Sequence, residues 1–390
     1  MELSKYCKYT TSRIDPASLN VDNYISTENM MQNKGGVTAA SKVPTEKAVE
    51  YKPGDILISN IRPYFKKIWL ADRSGGCSSD VLCIRALKGT DSVYLYYLLS
   101  QDSFFDYVMS GAKGSKMPRG DKSQIMKWDV DLPGIDEQRR IGQMLKNIDD
   151  KIAINNRINH NLEEQARALY KSWFVDFEPF KGGNFVDSEL GLIPEGWRVG
   201  TLSELGDIVA GGTPSKTKPE YYTNNGISWL TPKDLSVKCN KFTARGEIDI
   251  TEDGYKNSST KLMPRGSVLF SSRAPIGYIS IAKGDICTNQ GFKSVVPSYA
   301  GTAYLYYWLC ENTEAIEAQA SGSTFKEASG SLMRSFPALV PEKSVIDSFE
   351  KELSPIFNEQ EILEEEINYA EQIRDSLLPR LMSGELFMNC

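Results

Sequence analysis

The sequence Tyr-Leu-Tyr-Tyr-Leu-Leu at Tyr94–Leu99 returns 210 residues later as Tyr-Leu-Tyr-Tyr-Trp-Leu at Tyr304–Leu309. The apolar residues of both segments recur with the spacing of a buried helix. Self-similarity over so long a period indicates two copies of one architecture in a single chain. At 390 residues, the chain is long enough for each copy to have its own hydrophobic core.

Other segments repeat in the same order at nearly the same offset. Both copies contain short apolar runs separated by Gly and Pro, a pattern typical of strands and turns. Together with the helical Tyr-rich segment, this predicts an α+β fold with two similar globular domains, residues 1–133 and residues 194–341. The repeated pairs are Tyr24–Met30 with Trp229–Leu235, Lys52–Leu57 with Pro264–Leu269, Ser59–Pro63 with Ser271–Pro275, Gly114–Lys116 with Gly322–Thr324, and Leu132–Pro133 with Val340–Pro341.

A heptad pattern of apolar residues follows each globular copy, in residues 134–193, which end in a Gly-, Pro- and Asp-rich linker, and in residues 342–390. Alternate spacings of three and four residues predict a coiled coil. We expect two long helices that pair antiparallel, with one domain at each end and pseudo-twofold symmetry. Separate packing of two amphipathic helices on the domains is the alternative. The predicted contact positions are Ile141, Leu145, Ile148, Ile152, Asn155, Asn159, Leu162, Phe349, Leu353, Ile356, Gln360, Leu363 and Ile367.

Three of these contact positions are polar. Asn155, Asn159 and Gln360 lower the stability of a helix pair unless their amides pair with one another. Polar residues at such positions select register and orientation, so they favour a specific helix pair over two independent helices.

Acidic residues are concentrated near the end of the chain. The net charge is −6, from 45 basic and 51 acidic residues. Residues 342–390 hold 12 acidic and 4 basic residues, whereas residues 1–133 hold 15 and 18. A basic face on a globular domain is therefore compatible with the acidic total.

No targeting or membrane segment is evident in the sequence. No apolar run approaches the ~20 residues needed to cross a bilayer. The N-terminus lacks the apolar core of a signal peptide. We expect a cytoplasmic protein that does not enter the membrane.

Motifs for catalysis are missing from the sequence. The single histidine, His160, excludes a two-histidine zinc site, and Asp and Glu are not spaced as metal ligands. Ala210–Thr217 resembles a phosphate-binding loop in composition but not in spacing. No nucleophile elbow, dinucleotide fingerprint or adenine-methylation tetrapeptide is present. We expect no catalytic residue, no metal and no cofactor on this chain.

Short polar and basic loops recur in both copies. Gly permits close approach of a backbone, Ser, Thr and Lys donate to phosphates, and Arg or Asn read base edges in the major groove. A solvated turn is the alternative for each loop, and recurrence in both copies raises the case for DNA binding. The candidate DNA-binding residues are Lys113, Lys116, Arg119, Lys122, Ser59, Asn60 and Arg62 in the first copy, and Ser271, Ser272, Arg273, Ser323, Thr324 and Lys326 in the second.

Three motifs in order resemble the specificity subunit of type I restriction-modification enzymes. They are Ile193–Trp197 followed by Gly211–Ser215, Glu137–Ile141 in the first heptad segment, and Leu377–Leu386. The resemblance covers essentially the whole chain. Two departures occur: the first copy lacks the Pro-Glu-Gly-Trp opening, and Glu342–Ser344 stands where the first heptad segment has Glu-Gln-Arg-Arg.

The resemblance implies a non-catalytic protein that binds double-stranded DNA. In that family, two target recognition domains each read one half of a split, asymmetric DNA sequence, and the helices set the spacer between the halves. The helices also dock two methyltransferase subunits, and two restriction and translocase subunits complete the complex. S-adenosylmethionine, ATP and Mg are expected on those partner subunits. The residues alone leave two alternatives open: a two-headed coiled-coil scaffold that binds proteins, and a nuclease with a dispersed active site.

Overall fold

The computed structural model describes residues 1–237, 240–322 and 326–386. The chain divides into two compact units. Unit 1 consists of Met1–Ala153 and the segment from Asn368 onward, and unit 2 consists of Ile154–Ile367. Each unit contains one copy of the repeat and a part of each heptad segment.

The globular part of unit 1 is built from short elements, with 3-10 turns at Leu3–Lys5, Pro16–Ser18 and Pro63–Phe65. Its strands are β1 (Cys7–Tyr9), β2 (Arg13–Ile14), β3 (Tyr24–Ile25), β4 (Ala48–Tyr51), β5 (Ile56–Ser59), β6 (Ile68–Leu70), β7 (Gly75–Cys77) and β8 (Val81–Ala86). Its helices are α1 (Ser92–Leu99), α2 (Asp102–Ser110) and α3 (Lys122–Ile125). The first long helix, α4 (Ile135–Phe174), begins in unit 1 and ends in unit 2.

Strand β5 lies at the centre of unit 1. It belongs to a sheet of order β1-β8-β5-β6, and a second sheet has the order β2-β4-β7-β3. Because side chains alternate along a strand, β5 contributes to two cores. Ile56 and Ile58 pack with residues of α1 and α2, whereas Leu57 packs with Tyr51 and Trp69. Burial on both faces explains the continuous apolar run of this strand.

Unit 2 repeats this plan with additional elements, including 3-10 turns at Glu178–Phe180 and Pro219–Tyr221. Its strands are β9 (Phe185–Ser188), β10 (Gly191–Pro194), β11 (Arg198–Thr201), β12 (Gly206–Ala210), β13 (Tyr222–Thr223), β14 (Trp229–Leu230), β15 (Phe242–Thr243), β16 (Asp249–Ile250), β17 (Val268–Ser272), β18 (Ile276–Ala282), β19 (Cys287–Thr288), β20 (Lys293–Pro297) and β21 (Pro337–Val340). Its helices are α5 (Leu202–Leu205), α6 (Pro232–Val237), α7 (Glu252–Lys256), α8 (Thr302–Gln319) and α9 (Gly330–Ser335). The second long helix, α10 (Lys343–Met382), begins in unit 2 and ends in unit 1.

The main sheet of unit 2 matches that of unit 1. Its order is β12-β20-β17-β18-β15, so β12-β20-β17-β18 corresponds to β1-β8-β5-β6. Strand β17 also contributes to two cores, because Val268 and Phe270 face one and Leu269 faces the other. The Tyr-rich segments form α1 and α8, as predicted, and both contribute buried residues to the corresponding core. The mixed helix and strand composition of the predicted fold is confirmed.

The two heptad segments form helices of 40 residues each. Every predicted contact position on them is buried or half-buried. Within unit 2, Asn155 of α4 donates to Glu366 of α10 at 2.9 Å, and Gln360 donates to Glu163 at 3.2 Å. Residue numbers fall along α10 as they rise along α4, so the two helix segments are antiparallel within this unit.

The polar contact positions find partners other than those expected. The Asn155, Asn159 and Gln360 side chains do not pair with one another among the described residues. Instead Asn155 donates to Glu366 and Gln360 donates to Glu163, while the contact of Gln360 with Asn159 is to the Asn159 backbone carbonyl, at 3.5 Å. Carboxylates on the facing helix thus take the place of amide partners for Asn155 and Gln360, since a charged acceptor forms the stronger hydrogen bond.

Lys241 connects both long helices to the main sheet of unit 2. Its Nζ donates at 2.8 Å to each of three acceptors: Glu163 of α4, Gln360 of α10 and the hydroxyl of Tyr307. The ring centroid of Phe357 lies 3.8 Å from the same atom. The residue is 7% exposed, and burial lowers the pKa of its ammonium against the opposing effect of Glu163. Because removal of one partner leaves a buried charge uncompensated, the cluster is costly to disrupt.

A carboxylate caps the N-terminus of both α1 and α8, but it comes from a different position of the chain in each copy. In unit 1 Asp91 accepts from the backbone N–H of Tyr94 at 2.9 Å, and Gly142 of α4 leaves space for it. In unit 2 Gly301 precedes α8, and Glu350 of α10 accepts from two N–H groups of the first turn at 2.8 and 3.1 Å. A Cβ at Gly142 would lie 2.9 Å from the Tyr94 nitrogen, and one at Gly301 would lie 2.1 Å from Cδ of Glu350. The two copies thus exchange the glycine and the carboxylate between the same two positions.

Candidate nucleic-acid interface

The loop 113–119 of unit 1 closes on itself. The backbone N–H groups of Lys113 and Arg119 each donate to the carbonyl of the other at 2.9 Å. Gly114 has a φ of +98°, a left-handed conformation that a residue without Cβ adopts without strain. Lys113, Lys116 and Arg119 are exposed on this closed loop.

The loop that follows β5 lies against the closed loop. The backbone N–H of Arg62 donates to the carbonyl of Pro118 at 2.8 Å, and Ile61 pairs with Arg119 through the backbone. The structure therefore brings the candidate residues of 59–62 and 113–119 together in unit 1.

Unit 2 contains the equivalent backbone pairs. The backbone N–H of Glu327 donates to the carbonyl of Ser321 at 2.8 Å, and the reverse bond measures 3.3 Å. Arg273, which follows β17, pairs with Glu327 through the backbone as Ile61 pairs with Arg119. The candidates Ser323 and Thr324 lie outside the described residues.

The lysine candidates of unit 1 are exposed. The Lys113 side chain is 83% exposed, and its Nζ lies 3.2 Å from Asp121. Lys116 and Lys122 are also exposed. The backbone N–H of Gln124, and then the Lys113 ammonium, hold the pKa of the Asp121 carboxyl below its ordinary value. Exposed pairs of this kind contribute only ~0–1 kcal/mol, so these cations remain available to phosphates.

Three serines that we expected to contact DNA are buried instead. Ser59 is 2% exposed, and Ser271 and Ser272 are 0% exposed. Each hydroxyl donates to a backbone carbonyl, at distances between 2.8 and 3.1 Å. These serines end a buried strand, and their hydroxyls satisfy the backbone of the loop that follows. In this structure they are not available to contact DNA, and we remove them from the set of candidate contacts.

Asn60 and Arg62 have buried polar atoms without a partner among the described residues. Asn60 is 8% exposed, and its Oδ1 is one of these atoms. Nε of Arg62 is the other, although the residue as a whole is half-buried. Arg62 has a left-handed backbone, with φ 51° and ψ 63°. A buried group costs ~1–3 kcal/mol unless a hydrogen bond is supplied from outside, so both residues remain candidates for ligand contact.

Arg273, one of the two basic candidates of unit 2, shares a carboxylate with Lys293. Nη1 of Arg273 is 3.5 Å from Glu327, and each of the two side chains is 37% exposed. Lys293, 12% exposed, contacts the same carboxylate at 3.1 Å. Lys326 is exposed, and its Nζ lies 3.5 Å from the carbonyl of Glu317.

The sequence reasoning missed the carboxylates that hold the two arginines. Asp80, which precedes β8, lies 3.2 Å from Nη2 of Arg119, although 39 residues separate them. The pairing of β5 with β8 brings Asp80 to this loop, and no spacing rule reveals that contact. Glu327 was within reach of sequence reasoning, since it follows Lys326 directly and aligns with Arg119.

Within residues 1–237, 240–322 and 326–386, no group of three His, Cys, Asp or Glu is arranged to hold a metal ion. Over the same ranges, no helix combines the length and apolar character needed to cross a membrane.

Comparison with known proteins identifies the family. The model of the type I restriction modification DNA specificity domain matches residues 4–164 and again residues 194–371. The chain therefore belongs to the family of type I restriction-modification specificity subunits. The two matches correspond to the two copies of the repeat.

Individual relatives agree with this assignment. A type I restriction enzyme MjaIX specificity subunit of Methanocaldococcus jannaschii is 37% identical over 190 residues, which are 46% of this chain and 44% of the relative. The HindI specificity subunit of Haemophilus influenzae is 24% identical, with 93% of this chain and 94% of the relative covered. The crystal structure of a type I restriction-modification system S subunit from M. genitalium superposes with a TM-score of 0.66 at 14% identity, covering 100% and 96% of the two chains. That likeness supports the fold.

Proposed function

We propose that this chain is the non-catalytic subunit that gives a type I restriction-modification complex its DNA sequence specificity. Each unit reads one half of a bipartite, asymmetric DNA target. Phosphate contacts from exposed lysines supply affinity and register, and side chains on the paired loops supply base readout.

The observation that carries this proposal is a constant frame with divergent loops. Strands β5 and β17 hold equivalent places in their sheets, the backbone pairs Lys113–Arg119 and Ser321–Glu327 are equivalent, and each copy is followed by a helix of 40 residues. The side chains displayed on the loops differ, for example Arg119 in unit 1 against Glu327 in unit 2. A constant frame with different loops suits a protein that reads two unlike half-sites.

We assign the spacer between the half-sites to the long helices. In this proposal α4 and α10 form an antiparallel coiled coil with pseudo-twofold symmetry, and each unit stands at one end. The same helices dock two methyltransferase subunits, and two restriction and translocase subunits complete the complex. S-adenosylmethionine, ATP and Mg bind to those partners, which also carry the catalytic groups.

DNA binding by the chain with its methyltransferase partner tests this proposal. We expect salt-dependent binding to one bipartite sequence. Lys113→Ala and Lys116→Ala should each weaken binding to all sequences alike and lower the slope of log K against log salt by about 0.9. Lys88→Ala, an exposed lysine outside the paired loops, is the matched control and should leave the slope unchanged. Failure to bind DNA with the partner present would refute the proposal and favour a protein-binding scaffold. Cleavage or methylation by the isolated chain would favour an enzyme.

A further inference from the structure

The paired loops of the two units contain equivalent backbone positions that hold different types of residue. The backbone pairs Ile61 with Arg119 in unit 1 and Arg273 with Glu327 in unit 2. The backbone N–H of Asn60, the residue that follows β5, donates to the carbonyl of Asp80 at 2.8 Å, and that of its counterpart Ser272 donates to the carbonyl of Gly291 at 2.7 Å. The three equivalent positions are therefore Ile61, Asp80 and Arg119 in unit 1, and Arg273, Gly291 and Glu327 in unit 2.

None of these positions keeps its residue type, yet each set contains one arginine and one carboxylate in contact. The distances are 3.2 Å between Arg119 and Asp80 and 3.5 Å between Arg273 and Glu327. The arginine comes from the closed loop in unit 1 and from the end of the central strand in unit 2. The contact is thus retained in both copies, although the arginine and the carboxylate each occupy a different position of the frame in the two units.

Stability does not account for this retention. The Arg119 and Asp80 side chains are 56% and 35% exposed, and ion pairs with such exposure contribute little to folding. A carboxylate that binds one end of a guanidinium does, however, restrict its orientation. The planar fork of an arginine held in this way can present two donors to O6 and N7 of guanine in the major groove.

The lysines near Arg119 differ from it in a way that fits a separate role. In unit 1, Lys113 and Lys116 each carry a single charge on an exposed, flexible stem. Such cations suit phosphates, which carry no sequence information. Arg119 instead has a planar guanidinium that contacts Asp80 at 3.2 Å and is less exposed than Lys113, 56% against 83%; it is the member of the group suited to direct base readout.

We propose that Arg119 in unit 1 and Arg273 in unit 2 each read a guanine in the half-site of their unit, and that Asp80 and Glu327 are the positioning residues. This inference rests on the proposed function, because it names the specificity determinants of the same loops. It requires at least one G·C pair in each half-site.

Genome-wide methylation by the full complex tests this inference. Arg119→Lys keeps the charge but removes the bidentate fork, so we expect discrimination at one G·C position of one half-site to fall on the order of 10–100-fold. Arg273→Lys should relax one position of the other half-site. Asp80→Asn and Glu327→Gln should relax the same positions to a smaller extent, with the rest of the motif retained. Lys113→Ala is the control, and it should lower methylation uniformly without changing the motif.

The outcomes separate this inference from the proposed function. A wild-type complex that methylates no bipartite motif would contradict the proposed function itself. A bipartite motif without a G·C pair in one half-site overturns the inference for that unit, even where a variant fails to fold. Arg119→Lys and Arg273→Lys variants that methylate the unchanged motif with reduced efficiency would show that both arginines bind phosphates, which also overturns it.

Discussion

The exchange of glycine and carboxylate at the start of α8 yields a prediction with a worked magnitude. In Gly301→Ala the new Cβ would lie 2.1 Å from Cδ of Glu350, so the carboxylate must leave the two backbone N–H groups that it accepts from. These hydrogen bonds are the N-terminal cap of α8, and loss of hydrogen bonds to a charged group costs about 1.5–3 kcal/mol. We expect unit 2 to lose about 1.5–3 kcal/mol, or roughly 3–12 °C at 2–4 °C per kcal/mol for a unit of this size.

The paired variant restores the arrangement seen in unit 1. Gly301→Asp with Glu350→Gly places the carboxylate on the cap residue and the glycine on the long helix. The cap is regained, and a glycine inside a helix costs about 1 kcal/mol. The double variant should therefore be more stable than either single substitution, with a favourable coupling free energy of about 2 kcal/mol or more.

Thermal unfolding of the full chain measures these effects, and hydrogen exchange of the peptide that spans α8 assigns them to unit 2. Gly284→Ala is the matched control, because a Cβ there meets nothing within 4 Å and should shift the midpoint little. If the two single substitutions simply add in the double variant, the proposed exchange of cap positions is wrong.

Three further predictions concern the Lys241 cluster and the long helices. Lys241→Met should destabilise unit 2 by about 3 kcal/mol, because the half-buried Glu163 carboxylate loses its cation. A midpoint within 2 °C of wild type would contradict this. The pKa of Glu163 is lowered in the fold, since Lys241, Gln360 and Tyr307 together outweigh the larger single effect of burial, which raises it. Because the pKa of Glu163 is lower in the folded than in the unfolded protein, its ionised form stabilises the fold at pH values above the unfolded pKa. The difference in unfolding midpoint between wild type and Glu163→Gln should therefore reach its largest value at neutral pH. This difference should shrink below about pH 4.5 and vanish below the pKa of Glu163 in the folded protein. A midpoint difference that increases as the pH falls would show that folding raises, and does not lower, the pKa of Glu163. Removal of one heptad from both α4 and α10 shortens each helix by about 10 Å, which corresponds to roughly three base pairs; the methylated spacer should shorten accordingly, and altered half-sites would refute the assignment of the spacer to the helices.

The repeat and the heptads predicted the frame well, because both depend on regular spacing. The buried β5 and β17, the Tyr-rich helices α1 and α8, and the two long helices all follow from apolar periodicity. The 40-residue length of α4 and α10 follows the extent of the heptad pattern.

Contacts that depend on strand pairing were beyond the sequence reasoning. Composition suggested that Ser59, Ser271 and Ser272 face DNA, whereas the end of a buried strand turns these hydroxyls to the backbone. Asp80 reaches Arg119 only because β5 pairs with β8. The fold is also needed to show that Gly142 of α4 and Glu350 of α10 occupy equivalent positions. Only then is it evident that the capping carboxylate and the glycine have exchanged positions between the two copies.

The most direct test of the central claim is the genome-wide methylation pattern of a host that carries this chain with its methyltransferase partner. The account predicts one bipartite motif with two unlike half-sites at a fixed gap, which disappears when this chain is deleted. A palindromic or continuous motif, or a motif that persists without the chain, would contradict the claim that two diverged units on a shared helical frame read the DNA.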